Sequence, residues 1–131
     1  MSTDPLTRKI GIKPGHTVHL HHRPAGWPVP ELPAGCTIGD GGPAGAEVTI
    51  AFYRELDDVR CEAADLAAAL DDHAMLWIAW PRRAAGHDSD ITDNLVRELL
   101  LATGLVDVKV AALGEDWSGL KFVRRVANRR R

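Results

Sequence analysis

Cysteine, aromatic residues, long apolar runs and an excess of either charge are all scarce in this sequence, and each shortage removes a class of protein. Two cysteines, Cys36 and Cys61, in 131 residues cannot build a disulfide framework or a zinc site made of thiolates. Both are expected to be reduced and buried. No apolar stretch approaches the roughly 20 residues that span a bilayer. The segment from Met1 to Gly15 carries Asp4, Arg8, Lys9 and Lys13 with no apolar run, so no signal peptide is read there. The expected location is the cytoplasm. Sixteen Lys+Arg stand against 18 Asp+Glu, a net charge of -2, which excludes a nucleic-acid footprint over the whole surface. Any basic site must be local. Aromatics are only 5% of the chain, yet four of them are tryptophan.

What is present is a composition of 45% hydrophobic and 26% charged residues, that of a soluble globular protein with room for one domain. Short β-rich runs alternate with amphipathic helices after residue 45, the signature of βαβ units feeding a parallel sheet. Strands are predicted at 17–22, 47–53, 75–80, 106–113 and 120–126. A helix at 55–70 stacks Leu56, Val59, Ala63, Leu66 and Leu70 on one stripe. A second, at 93–103, places Val96, Leu99 and Leu100 together, follows the capping candidates Asp90 and Thr92, and ends at Gly104. The strand at 75–80 is apolar on both faces and therefore central. The strands at 17–22 and 106–113 each have one polar face and read as edges. The last two strands, joined by a short turn, form an antiparallel hairpin. The expected fold is a single α/β domain over 1–131: a mostly parallel, Rossmann-like sheet of about five strands, with two main helices on one face. Around that unit lie an N-terminal segment (1–15), a loop rich in proline and glycine (23–45) and a basic tail (127–131). The loop holds Pro24, Pro28, Pro30, Pro33 and Pro43 among six glycines, which forbids a long helix and makes a regular strand unexpected.

The blocks Gly11 to His16 (GIKPGH), Trp80 to Arg83 (WPRR), Gly104 to Val110 (GLVDVKV) and Trp117 to Val123 (WSGLKFV) resemble those of an uncharacterised bacterial family, a domain of unknown function (DUF3052). The resemblance runs from Gly11 to Arg125 and implies a recurring unit without an activity. His21-His22-Arg23 and the prolines around Trp27 depart from it, standing where a shorter apolar segment is expected. More distantly, the order of elements is similar to the C-terminal half of a class I methyltransferase fold. That resemblance implies S-adenosylmethionine held by a glycine-rich turn after the first strand and an acidic residue ending the second. Here the first strand runs into His22-Arg23-Pro24-Ala25-Gly26-Trp27, with a single glycine, and no regular second strand is predicted. No cofactor is predicted and S-adenosylmethionine is not expected, because fold does not imply function.

Ligands of open α/β sheets bind outside the carboxyl ends of the parallel strands. That rule selects Arg23, Gly26 and Trp27 after the first strand, Trp80, Arg82 and Arg83 at the end of the third, and Asp116, Trp117 and Ser118 in the hairpin turn. Arginines beside tryptophans suit a planar or anionic ligand; solvated arginines and tryptophans packed for their area are the plainer alternative. The histidine run offers His19 and His21 on one strand face, with His22 opposite, and a third metal ligand would come from His87, Asp88, Asp90 or Asp116. No spacing requires a metal, so polar histidines on the wet face of an edge strand are the expected reading and no metal site is predicted. Arg124, Arg125, Arg129, Arg130 and Arg131 read as a solvated terminus, so nucleic acid is not an expected partner. The functional expectation is a non-catalytic binding or interaction module with a ligand site at this edge. The alternative is a methyltransferase-like enzyme or cofactor-binding protein completed by a partner. Both predicted helices lie on one side of the sheet. The other side must be covered by the 23–45 loop or a second chain, and a homodimer is the expected answer.

Overall fold

Seven successive apolar residues from Met75 onward can be buried only in a strand covered on both faces, and that requirement sets the centre of the molecule. The computed structural model describes residues 5–39 and 41–125. In chain order they form α1 (Pro5–Ile10), β1 (Thr17–His21), β2 (Thr37–Ile38), β3 (Val48–Phe52), α2 (Leu56–Ala69), β4 (Met75–Pro81), a 3-10 turn (Arg83–Ala85), α3 (Asp93–Leu101), β5 (Leu105–Ala112) and β6 (Trp117–Arg124). The sheet order is β2-β1-β3-β4-β6-β5. The first four strands in that order run parallel, and β6 is antiparallel to both β4 and β5. The fold is thus the expected Rossmann-like α/β domain, with six strands instead of five. No helix among the described residues is long and apolar enough to cross a membrane.

The additional strand corrects two expectations. β2 arises inside the 23–45 segment and pairs with β1 at Thr17/Thr37 and Val18/Ile38, so β1 is an inner strand over its first two residues and not an edge along its whole length. Two residues between Cys36 and Gly39 carry no periodicity to announce a strand. Backbone bonds make it, from Thr37 N to His16 O (3.1 Å) and from Gly39 N to Val18 O (2.9 Å). β5 is the other edge, as expected.

Right-handed crossovers that advance in one direction put their helices on one face. Accordingly α2 and α3 share a core with Leu76, Ile78, Trp80, Leu120 and Phe122. The opposite face, with Val48, Ile50, Phe52 and Trp77, is closed by Ile10, Ile12, Trp27, Leu113 and Trp117. Indole hydrogen bonds fasten this cover: Trp77 Nε1 donates to Ile10 O (3.0 Å) and Trp27 Nε1 to Leu113 O (2.9 Å). Among the described residues this face is covered from within the chain, by Trp27 of the 23–45 loop and by the unpredicted α1, so it supplies no argument of its own for a homodimer. Six residues are too few for a helix to be stable alone. Docking of Ile10 and the left-handed Gly11 at its end (φ +93°) define α1.

Helix ends are satisfied by distant residues. Thr92 caps α3 by accepting from Leu95 N (3.2 Å), while Asp90, the other capping candidate, serves α2 by accepting from Leu56 N (3.0 Å). At the far end of α2, Arg124 donates through Nη2 to Ala67 O and Leu70 O, both at 2.6 Å, and its Nε lies 3.5 Å from Asp72 Oδ1. Arg124 is only 8% exposed, which corrects its assignment to a solvated tail. Arg125 is exposed, and Arg129, Arg130 and Arg131 fall outside the described residues. The cysteines are free, but Cys36 is only half-buried and Cys61 is exposed, because Cys61 occupies the solvent side of α2.

Candidate functional site

Where neighbouring strands send their connections in opposite directions, the loops part and leave a crevice at the carboxyl ends. β1 leads outward to β2, whereas β3 leads through α2 to β4, so the crevice lies between β1 and β3. One wall is aromatic: Trp27 meets Phe52 at 4.9 Å and Phe52 meets Trp117 at 5.2 Å, both edge to face. Arg54, just past β3, sets its guanidinium 5.1 Å from the centre of the Trp117 ring, a cation–π contact. A cleft of about 200 Å³ on one side of Arg54 is lined by Gly26, Trp27, His87, Asp116 and Trp117. A larger, open groove on the other side is lined by His22, Tyr53, Asp58 and Glu62.

Of the residues selected from sequence, the fold brings Gly26, Trp27, Asp116 and Trp117 together with His87 around one cleft. Arg82 stands beside them, its backbone N donating to Asp116 O (2.8 Å) and its Nη1 to Glu115 O (3.4 Å). Arg83 donates to Ser89 O (2.9 Å) and lines a neighbouring groove with Arg54 and His87. Three residues do not join them. Trp80 points to the opposite face and is buried among α2 and α3 residues. Ser118 pairs with Trp80 in register and so shares that face. Arg23 lines a separate groove with His19, Val29 and Ile38. Arg54 and Tyr53 were missed. They end a predicted parallel strand, and the carboxyl-edge rule applied to that strand would have found them.

The histidines are arranged differently from a regular strand. β1 stops at His21, and His22 adopts φ +59°, a left-handed conformation uncommon outside glycine though more accessible to histidine than to most residues. Its ring therefore turns to the side of His21, with ring centres 4.0 Å apart, where alternation had placed it opposite. Both rings meet Glu62 of α2. His21 Nε2 lies 2.7 Å from Oε1, and His22 Nε2 lies 3.1 Å from Oε1 and 3.0 Å from Oε2. Tyr53 Oη donates to the same Oε1 at 2.7 Å. Burial works against ionisation of Glu62, but hydrogen bonds from Tyr53, His22 and His21 outweigh it and lower its pKa to about 2. Burial, reinforced by the Glu62 carboxylate, raises the Tyr53 hydroxyl well above its ordinary value and keeps it a donor. His21, His22 and Glu62 are the group among the described residues whose donor atoms converge within 4.8 Å. His19 reaches instead toward Gly39 O (3.4 Å). His87 bonds Asp116 Oδ1 at 2.9 Å, a separate pair.

Residues 43–126 match a family described as protein of unknown function (DUF3052), a span of more than half of the sequence. The chain belongs to that family. No curated protein matches the sequence. Among solved structures, this family member is similar to LepI in complex with S-adenosylmethionine, with a TM-score of 0.55 and 12% identity over 94% of this chain and 47% of that one. It is also similar to a putative methyltransferase from Thermoplasma acidophilum, with a TM-score of 0.50 and 8% identity over 88% of this chain and 71% of that one. At these identities the likeness shows a methyltransferase-like Rossmann fold. The chain spans about a third to a half of the length of the first structures it matches.

Proposed function

We propose that the protein is a non-catalytic binding module that takes a small, planar, negatively charged ligand in the crevice between β1 and β3. The observation that carries this reading is Arg54 held over the ring of Trp117, where it borders both the aromatic cleft and the open groove. A planar ligand would take the guanidinium's place over the ring, while the displaced arginine would bond the ligand's anionic group in two-pronged fashion. Of the carboxylates that line the crevice, Glu62, Asp90 and Asp116 serve His21 and His22, the α2 terminus and His87; Glu55, Asp58, Asp88 and Glu115 border it as well, so the anionic group is assigned to Arg54 itself and not to the net charge of the crevice. Arg54, Arg82 and Arg83 take part in none of the ion pairs among the described residues. Covalent catalysis finds no support, because no serine or cysteine among the described residues is hydrogen-bonded to a histidine, and burial together with Glu62 holds the Tyr53 hydroxyl protonated.

Thermal-shift titration with nucleoside mono- and diphosphates, S-adenosylmethionine and S-adenosylhomocysteine tests the reading. A ligand at a hundred times its Kd stabilises by about 2.7 kcal/mol, and Arg54→Ala should remove that shift. If none of these compounds stabilises the chain, the planar-anion reading is wrong. A second reading, an S-adenosylmethionine site completed by a partner, is favoured by β2. This strand runs parallel to β1 where the methyltransferase resemblance requires a second strand. Stabilisation by S-adenosylmethionine and not by nucleotides would select it.

A further inference from the structure

We propose that His21, His22 and Glu62 form a binding site for one divalent transition-metal ion at the mouth of the switch-point crevice. The backbone is the first argument. Successive residues of an extended chain project to opposite faces, and the second imidazole reaches Glu62 only because His22 takes a left-handed conformation (φ +59°) that a residue with a Cβ ordinarily avoids. That departure from regular structure brings two nitrogen donors and one carboxylate to one point.

Spacing is the second argument. Ligands around an ion with bonds of about 2.1 Å lie about 3 Å apart at octahedral angles and about 3.4 Å apart at tetrahedral ones. The nitrogen–oxygen separations, hydrogen-bonded at 2.7, 3.0 and 3.1 Å, would have to widen by only some tenths of an ångström to admit the ion. Glu62 meets His21 and Tyr53 through Oε1 and His22 through both oxygens, so one carboxylate gathers all three side chains. An ion drawing on the nitrogen lone pairs would leave Tyr53 as the hydroxyl that orients the ligating carboxylate. Two imidazoles with one carboxylate suit zinc, iron(II), nickel or copper; magnesium and calcium favour all-oxygen sets. The open side faces the groove lined by Asp58 and Tyr53, which leaves positions for water or a ligand. None of its three donors lines the aromatic cleft, although His22 and Glu62 share the adjoining groove with Arg54 and Trp117; metal binding is read out without any planar ligand.

The test uses the untagged chain, stripped with a chelator and titrated with Zn²⁺ by calorimetry and with Co²⁺ by visible absorption. One Zn²⁺ per chain and the d–d bands of bound Co²⁺ are expected. His22→Ala and Glu62→Gln should each weaken Zn²⁺ binding at least about tenfold, and Tyr53→Phe by about tenfold through the carboxylate it orients. His87→Ala, in the separate pair with Asp116, should change nothing. The His22 side chain is 50% exposed, so its variant is expected to fold, as circular dichroism will check, and it decides the matter if Glu62→Gln does not fold. Absence of stoichiometric Zn²⁺ binding at micromolar concentration, or binding that His22→Ala leaves unchanged, overturns the proposal.

Discussion

Replacement of Arg124 separates a buried structural cation from a member of a solvated tail. Its guanidinium donates to two terminal carbonyls of α2 at 2.6 Å and lies 3.5 Å from Asp72, and the two side chains are only 9% and 17% exposed. Hydrogen bonds from a charged donor contribute about 1.5–3 kcal/mol each, and breaking a buried pair by removing one partner costs about 3–5 kcal/mol. These terms overlap because Asp72 loses its contact with Arg124 in the same substitution, so Arg124→Met should destabilise by about 3–5 kcal/mol. Arg124→Lys, which keeps a charge without the fork, should cost about half as much. Urea denaturation with a constant slope measures the difference. At this chain length about 4 kcal/mol corresponds to a fall in Tm of very roughly 15 °C. In the Asp72→Asn background the cost of Arg124→Met should shrink, since the charge–charge contact between the two side chains is then already absent. If Arg124→Met lies within about 0.5 kcal/mol of the parent, the ordinary range for a surface substitution, the buried-cap account is refuted.

Gly119→Ala should destabilise by about 1–3 kcal/mol through overpacking, because a Cβ there would lie 2.6 Å from Leu113 Cδ1 and 2.9 Å from Trp77 Cε3; thermal melting checks it. Trp27→Phe leaves Leu113 O without its indole donor and should cost about 1–3 kcal/mol, with faster proteolysis in the 23–45 segment than in the parent. The carboxyl of Glu62 has a folded pKa lowered from 4.5 to about 2, so its contribution is complete above pH 4.5 and is lost as pH falls through 2. The carboxyl is about one-third exposed and solvent screening reduces the effect. In the presence of a chelator, Glu62→Gln should therefore cost about 1–2 kcal/mol at pH 7 and progressively less below pH 4.5. A cost that does not fall with pH in acid titration would contradict that linkage.

Periodicity settles whatever depends on neighbours along the chain. Leu56, Val59, Ala63 and Leu66 make the stripe of α2, and the unbroken apolar run of β4 can sit only at the middle of the sheet, so the α/β class and the shared face of α2 and α3 were legible. The same is true of the Gly26, Trp27, Asp116 and Trp117 cluster, because the carboxyl ends of parallel strands converge in any fold of this class. Elements held by long-range contacts were not legible. β2 is two residues bonded to a strand 20 positions earlier, and α1 is a single docked stretch of six residues. Neither has an intrinsic pattern strong enough to stand without its partner. Alternation also misplaced what lies at the end of β1. It turned His22 away from its neighbours, because one positive φ reverses the direction of the side-chain argument at that point; Trp80 it placed correctly with Leu76 and Ile78, and only the carboxyl-edge rule drew that residue into the site. Arg124 looked like tail because its partners, Ala67, Leu70 and Asp72, are more than 50 residues distant. Sequence determined the scaffold through local repeats; tertiary structure decided the cover of the second face, the capping of α2 and the meeting of His21 and His22 with Glu62, each of which requires groups remote in sequence to be in contact.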